Sequence, residues 1–272
     1  MDLELKNHIQ NFSDNNILPI QHKNYLVQLK LDNFEPKVIY DIGCCVLHWT
    51  KYAKKIWPNA EFILFDAFDK AEFLYSDYKY NVGVLSDVDD KVVDFYQNNY
   101  SFVGNSYYRE IGHPLSNKLF SESHALKRTT SKLETVVKKN NFDYPDFIKM
   151  DVQGAEMDII KGSEEIIKKC KYLIVELQKV DYNMGAPKSN IVIPYIESLG
   201  FKCVANSFSE NDYDSDYCFE NLNYIPSLWV IIAVWLLLIN ISLGILQYTD
   251  SSPILHLSDA EIVLPYFPEI LI

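Results

Sequence analysis

Short apolar runs alternate along this chain with stretches whose apolar residues recur every three or four positions. That is the rhythm of buried strands separated by amphipathic helices. The runs Val38–Ile42, Ala60–Phe65 and Tyr80–Leu85 predict three strands. Each closes on an acid or a turn: Asp41-Ile42-Gly43, then Asp66, then Ser86-Asp87. Between the first two, Val46, Trp49, Ala53, Ile56 and Trp57 predict a helix that Pro58 stops. A short helix around Lys70–Tyr75 leads into the third strand, completing a β-α-β-α-β series of the mononucleotide-binding kind. Ahead of it, residues 1–37 predict a polar lead-in with one helix, His22–Leu31.

The rhythm lapses over residues 91–128. Val92–Tyr96 alternates like a strand, after which Gly104-Asn105-Ser106 and Gly112-His113-Pro114 mark turns. A long irregular insertion beside a ligand rim is commonly functional, so this segment is expected to form the wall and lid of an acceptor pocket. Helical spacing resumes over Ser131–Asn140, with Ser131 and Glu134 placed as a capping box. A short apolar strand ending on Met150-Asp151 follows, then a Gly-containing turn and a helix from Ala155 to Lys169. Beyond it the pattern predicts strand Tyr172–Leu177 carrying Glu176, helix Ile191–Ser198, strand Phe201–Ala205 and a last strand, Tyr217–Leu222. Glu210, Asp212, Asp214 and Asp216 read as a solvated acidic loop. In an open parallel sheet ligands bind outside the carboxyl ends of the strands, so Asp41 and Asp151 point to a nucleotide-type site there.

No charge occurs from Leu222 to Leu246, and Leu228–Ile239 is continuously apolar. A helix over residues 225–246 would be about 33 Å long, enough to cross the hydrocarbon core of a bilayer. Tyr224 and Tyr248 stand where interfacial residues belong. The expected organisation is thus a lead-in (1–37), an α/β domain (38–222), a membrane-spanning segment (223–249) and a tail (250–272).

Composition narrows the function. The net charge of −12 disfavours phosphate backbones, so nucleic acid is not an expected partner. The 5 cysteines are odd in number and lack the CxxC spacing of zinc sites. Reduced thiols in a cytosolic compartment are the simpler expectation, and acids and histidines show no ligand spacing, so no metal is expected.

The block Asp146-Phe147-Ile148-Lys149-Met150-Asp151-Val152-Gln153-Gly154-Ala155-Glu156, continued to Gly162, strongly resembles the signature of the FkbM-type methyltransferases. Thr129–Glu134, Leu173-Ile174-Val175-Glu176 and Gly200-Phe201 are also similar to that family. The resemblance spans roughly residues 38–222 and implies a doubly wound, mostly parallel Rossmann-like sheet. It also implies S-adenosylmethionine as cofactor and O-methyl transfer to a glycan, glycolipid or other small molecule. The family's first loop has the form Asp-Ile-Gly-Ala-Asn-x-Gly; here Cys45 replaces the Asn and Leu47 the last Gly. That departure keeps a second reading open, a membrane-tethered methyltransferase-like scaffold without turnover. A dehydrogenase is disfavoured because no G-x-G-x-x-G turn is present.

Under the resemblance, Asp41 and Gly43 would hold the methionine moiety and Asp66 the ribose hydroxyls, with Asp69 competing for that role. Ser86 and Asp87 would lie near the adenine. Asp151 would stand beside the transferred methyl, binding cofactor and orienting or deprotonating the acceptor, with Glu176 and His113 as further catalytic candidates. His124 is a weaker candidate base. Glu156 reads as a favourable charge at a helix start, and His48 as a residue packing with Trp49. The localisation implied is membrane-associated, with the catalytic domain in the cytoplasm.

Overall fold

The computed structural model describes residues 3–98, 102–206 and 213–225. Two helices lead in, α1 (Leu3–Asn15) and α2 (Ile20–Leu31), so the polar N-terminal stretch is more helical than its apolar spacing suggested. The first half of the sheet then follows: β1 (Val38–Ile42), α3 (His48–Ile56), β2 (Glu61–Asp66), a 3-10 turn (Asp69–Leu74) and β3 (Lys79–Val82), after which β4 (Val84–Leu85) joins a separate small sheet. The predicted third strand is therefore two strands broken at Gly83. The insertion contributes β5 (Val92–Phe95), α4 (Ser116–Leu119) and β6 (Leu126–Ser131). The second half runs α5 (Leu133–Asn140), β7 (Phe147–Met150), α6 (Glu156–Lys161), α7 (Glu164–Ile167), β8 (Tyr172–Gln178), α8 (Ser189–Ser198), β9 (Phe201–Asn206) and β10 (Asp214–Asn221).

Seven strands form one sheet in the order β3-β2-β1-β7-β8-β10-β9. The first five are parallel, and β10 runs antiparallel to both β8 and β9. Strand alternation feeds two cores. Val38, Tyr40 and Ile42 face the helices α5, α6 and α8, whereas Ile39 faces α1, α2 and α3. Every residue of β1 is buried, as a strand covered on both faces must be. The doubly wound expectation therefore holds, and the carboxyl ends of β1, β2 and β7 share one edge.

Three local expectations are corrected. Ser131 does not cap α5; it ends β6, which pairs with β4 and β5. Asp89 anchors the start of α5 instead, accepting from the Lys132 amide at 2.8 Å and from Thr135 Oγ1 at 2.7 Å. The helix expected over 155–169 breaks at Gly162, where a Cβ would stand 2.6 Å from the Ser86 carbonyl oxygen. Asp214 and Asp216 belong to β10 rather than to an acidic loop, while Glu210 and Asp212 lie outside the described residues. So does the hydrophobic segment beyond Ile225, with the tail. Among the described residues, no helix is long and apolar enough to cross a membrane.

Candidate active site

The floor of the site is a close crossing of backbone. β1 and β7 lie side by side with Ile42 opposite Met150, and the Asp151 amide donates to the Ile42 carbonyl at 2.9 Å. Gly43 then turns with φ +81°, and a Cβ on it would stand 1.8 Å from the Asp151 carbonyl oxygen. Only glycine satisfies both conditions. The rest of the first loop keeps left-handed geometry without further glycines: Cys45 has φ +45° and Leu47 has φ +68°. A left-handed leucine costs about 1–2 kcal/mol. Leu47 is nearly fully buried in the core beneath α1 and α3, which offsets that cost by about 2 kcal/mol.

Above this floor lies a partly open cavity. One side is formed by Gly43, Cys45, His48 and Asp151, another by Phe65 and Asp66. Phe95 and Phe102–Tyr107 of the insertion form the far wall. That wall is fastened in two places. Cys45 Sγ lies 3.2 Å from the Phe102 carbonyl, and the Tyr107 and Tyr108 hydroxyls each donate to Asp158 Oδ2 at 2.8 Å.

Asp66 ends β2 in the cavity wall. Its Oδ2 accepts from the Cys45 amide at 2.6 Å and its Oδ1 from the Phe68 amide at 2.7 Å. Burial raises its pKa, against the pull of these two amides and of Lys149. A carboxylate accepts about four hydrogen bonds, so each oxygen keeps a lone pair for a ligand.

Lys149 ties the other acids together. It is 3% exposed, and Nζ lies 3.5 Å from Asp41 Oδ1 and 3.4 Å from Asp151 Oδ2 while donating to the Gly43 carbonyl at 3.1 Å. Burial works against its charge, but Asp151 and Asp41 outweigh burial and hold its pKa above the usual lysine value. Asp41, fully buried, also accepts from Thr50 Oγ1 at 2.5 Å. It lies under the first loop rather than in the cavity wall. Its side chain anchors Lys149 and α3.

Asp151 and Glu176 form a coupled carboxyl pair, bridged by Gln153. Its Nε2 donates to Asp151 Oδ1 at 2.9 Å and to Glu176 Oε2 at 2.5 Å. Burial pushes both acids up. For Asp151 the Lys149 ammonium, with hydrogen bonds from Glu176 and Gln153, reverses the push and brings it down to about 2. Glu176 faces Asp151, Asp216 and Asp214 as well as burial, and rises well above the carboxylate range. The pair titrates as a unit, and the proton favours Glu176 over Asp151, which lies beside Lys149 at the cavity.

Glu156 organises the turn that follows. Its Oε1 accepts from the Val152 amide at 2.9 Å and the Gly154 amide at 3.2 Å. It is 3% exposed, and burial, opposed by those amides, raises its pKa to about 7. Because the folded pKa lies above the unfolded one, this group stabilises the fold most at low pH. That stability is lost as pH rises through about 7. Glu156→Gln is expected to gain up to about 3 kcal/mol over wild type at pH 8 and nothing near pH 4. Urea unfolding at the two pH values checks this; a gain that does not depend on pH would contradict it.

Other candidates stand elsewhere. Ser86 is buried beside the cavity rather than lining it, its Oγ 3.2 Å from both Asp87 Oδ1 and Tyr107 Oη. Asp87 is exposed in the turn that follows β4. Asp69 pairs with Arg128 at 3.3 Å, which leaves Asp66 alone of the two in the cavity wall. His113 is exposed, and its Nδ1 accepts from the Leu115 amide at 3.1 Å within its own turn, so it does not reach the cavity. His124 is exposed in a short 3-10 turn.

Two residues at the site were not anticipated. Lys149 carried a legible signal, a cation inside an apolar strand, which is stable only beside buried acids. His48 carried none, since its place in the cavity depends on the left-handed turn at Leu47. Among the described residues, no cluster of three or more His, Cys, Asp or Glu could hold a metal ion.

Comparison with known proteins places residues 41–203 in the family described as "Methyltransferase FkbM domain". Among solved structures, the chain is similar to a putative O-methyltransferase from Klebsiella pneumoniae, at 9% identity over 81% of this chain and 90% of that one, TM-score 0.44. It is similar to the O-methyltransferase TomG from Streptomyces achromogenes, at 9% identity over 81% and 90%, TM-score 0.43. A SAM-dependent methyltransferase from Aquifex aeolicus is similar at 12% identity over 72% and 89%, TM-score 0.38. No curated protein matches the chain.

Proposed function

The chain belongs to the FkbM methyltransferase family, and from that premise we propose that it methylates a hydroxyl of a glycan, glycolipid or related small molecule. The enzyme class is an S-adenosylmethionine-dependent methyltransferase, and the cofactor supplies the methyl group as a sulfonium. The observation that carries the reading is the cavity itself. It sets Asp66 in one wall, Asp151 in another, and the Gly43 turn between them.

The residues fit that cofactor. Asp66 keeps lone pairs for ribose hydroxyls, and Phe65 and Phe102 supply apolar wall for a base. Asp151 stays ionised and would accept a hydrogen bond from the acceptor hydroxyl, fixing its oxygen for in-line attack. With a pKa near 2, Asp151 is a weak base. It acts chiefly by orientation; as the O–C bond forms and the C–S bond of the sulfonium breaks, the hydroxyl proton becomes acidic and passes to Asp151 or water. Acids and amides around Asp151 suit an uncharged polyol better than a phosphorylated acceptor.

The apolar stretch 225–246 supports attachment to a membrane, and the reduced cysteines support a cytoplasmic catalytic domain. One experiment addresses both parts. Membranes carrying the full chain are washed with carbonate and given methyl-labelled cofactor. The protein is expected to stay in the pellet and label a lipid or glycan there. Release into the wash would remove the anchor; retention with cofactor bound and no labelled product would favour a tethered scaffold.

A further inference from the structure

The first loop ends on a side chain to which no role has yet been given. His48 opens α3 directly after the left-handed Leu47, and its ring lines the cavity beside Gly43, Cys45 and Asp151. Nδ1 is buried and has no hydrogen-bond partner. A buried ring nitrogen left unpaired is costly, and at a ligand cavity it marks a group whose partner arrives with the ligand.

We propose that His48 holds the amino-acid end of the cofactor and so acts as a positioning residue for methyl transfer. The inference rests on the methyltransferase reading above and assigns one end of the ligand within it. Its neighbours decide the end. Lys149 on β7, Asp41 on β1, Asp151 just past β7 and His22 on α2 all act on the imidazole. Thr50, two residues on, bonds Asp41, and Lys149 links Asp41 to Asp151 in the cavity wall. His48 thus stands on the Asp151 side of the cavity, where the chain leading away from the sulfur would lie.

The chemistry agrees. The amino-acid end is a zwitterion, offering an ammonium that donates and a carboxylate that accepts. A neutral imidazole offers one lone pair and one N–H, and so can serve either group. Burial first, then Lys149, pushes the His48 pKa down, which keeps the ring neutral at physiological pH. Asp41 and Asp151 oppose that push without overcoming it.

Two commercial ligands separate the ends: S-adenosylhomocysteine, which carries the amino-acid chain, and 5′-methylthioadenosine, which lacks it. Calorimetric titration of the full chain with each is the test. His48→Ala is expected to weaken S-adenosylhomocysteine about tenfold and 5′-methylthioadenosine less than twofold, with His48→Asn recovering most of the loss. Binding of 5′-methylthioadenosine doubles as the check that the variant is folded. Equal weakening of both ligands in His48→Asn, or unchanged S-adenosylhomocysteine affinity in His48→Ala, would overturn the inference. Wild-type protein that binds neither would sink this inference together with the reading beneath it.

Discussion

Lys149→Met is expected to destabilise the fold by about 3–5 kcal/mol near neutral pH, although methionine fills a similar volume. The loss comes from what remains. Asp41 and Asp151 would face each other across adjacent strands with their cation gone, Asp41 fully buried. Breaking a buried pair from one side strands its partners' charge, which is worse than replacing the whole group with apolar residues. Protonation is the escape, so the destabilisation should shrink as pH falls toward 5. Urea unfolding at pH 7.5 and 5 measures both effects. A near-wild-type midpoint at pH 7.5 would show that the triad contributes little.

Gly43→Ala is expected to do comparable damage by a different route. The left-handed backbone costs an L-residue about 1–2 kcal/mol. The added Cβ must also move away from a backbone oxygen 1.8 Å distant, which would force the ends of β1 and β7 apart. Overpacking of that kind costs about 1–3 kcal/mol, and a backbone neighbour yields less readily than a side chain. Together these give a loss of about 2–5 kcal/mol and a deformed cavity floor. Denaturant unfolding checks the stability. Retained stability with intact ligand affinity would mean that the two strand ends are freer to separate than their hydrogen bonding implies.

The half of the fold that builds the site was legible because its strands are short, apolar and end on acids. Val38–Ile42 and the run before Asp151 could hardly be anything but buried parallel strands. Asp66 and Asp151 emerged as cavity residues for the same reason, since strand ends converge in a parallel sheet. Where contacts come from elsewhere in the chain, the pattern failed. The helix breaks at Gly162, where the Ser86 carbonyl leaves no room for a side chain, and β6 is largely polar yet is held between β4 and β5. Asp41 has the pattern of a ligand residue, but its side chain is taken by Lys149 and Thr50 from below. His113 sat in the right insertion and folded into its own turn. At the altered loop, Cys45 and Leu47 both take left-handed backbone, and Leu47 is buried, which its sequence alone did not show.

The most direct measurement is calorimetric titration of the full chain with S-adenosylhomocysteine, in wild type and in Asp66→Ala. Two hydrogen bonds to a carboxylate at about 1.5 kcal/mol or less each set the scale of the loss. The expected result is micromolar binding by wild type and affinity about 30-fold weaker in the variant. Binding of equal strength in both proteins, or none in wild type, would contradict a cofactor seated between Asp66 and Asp151.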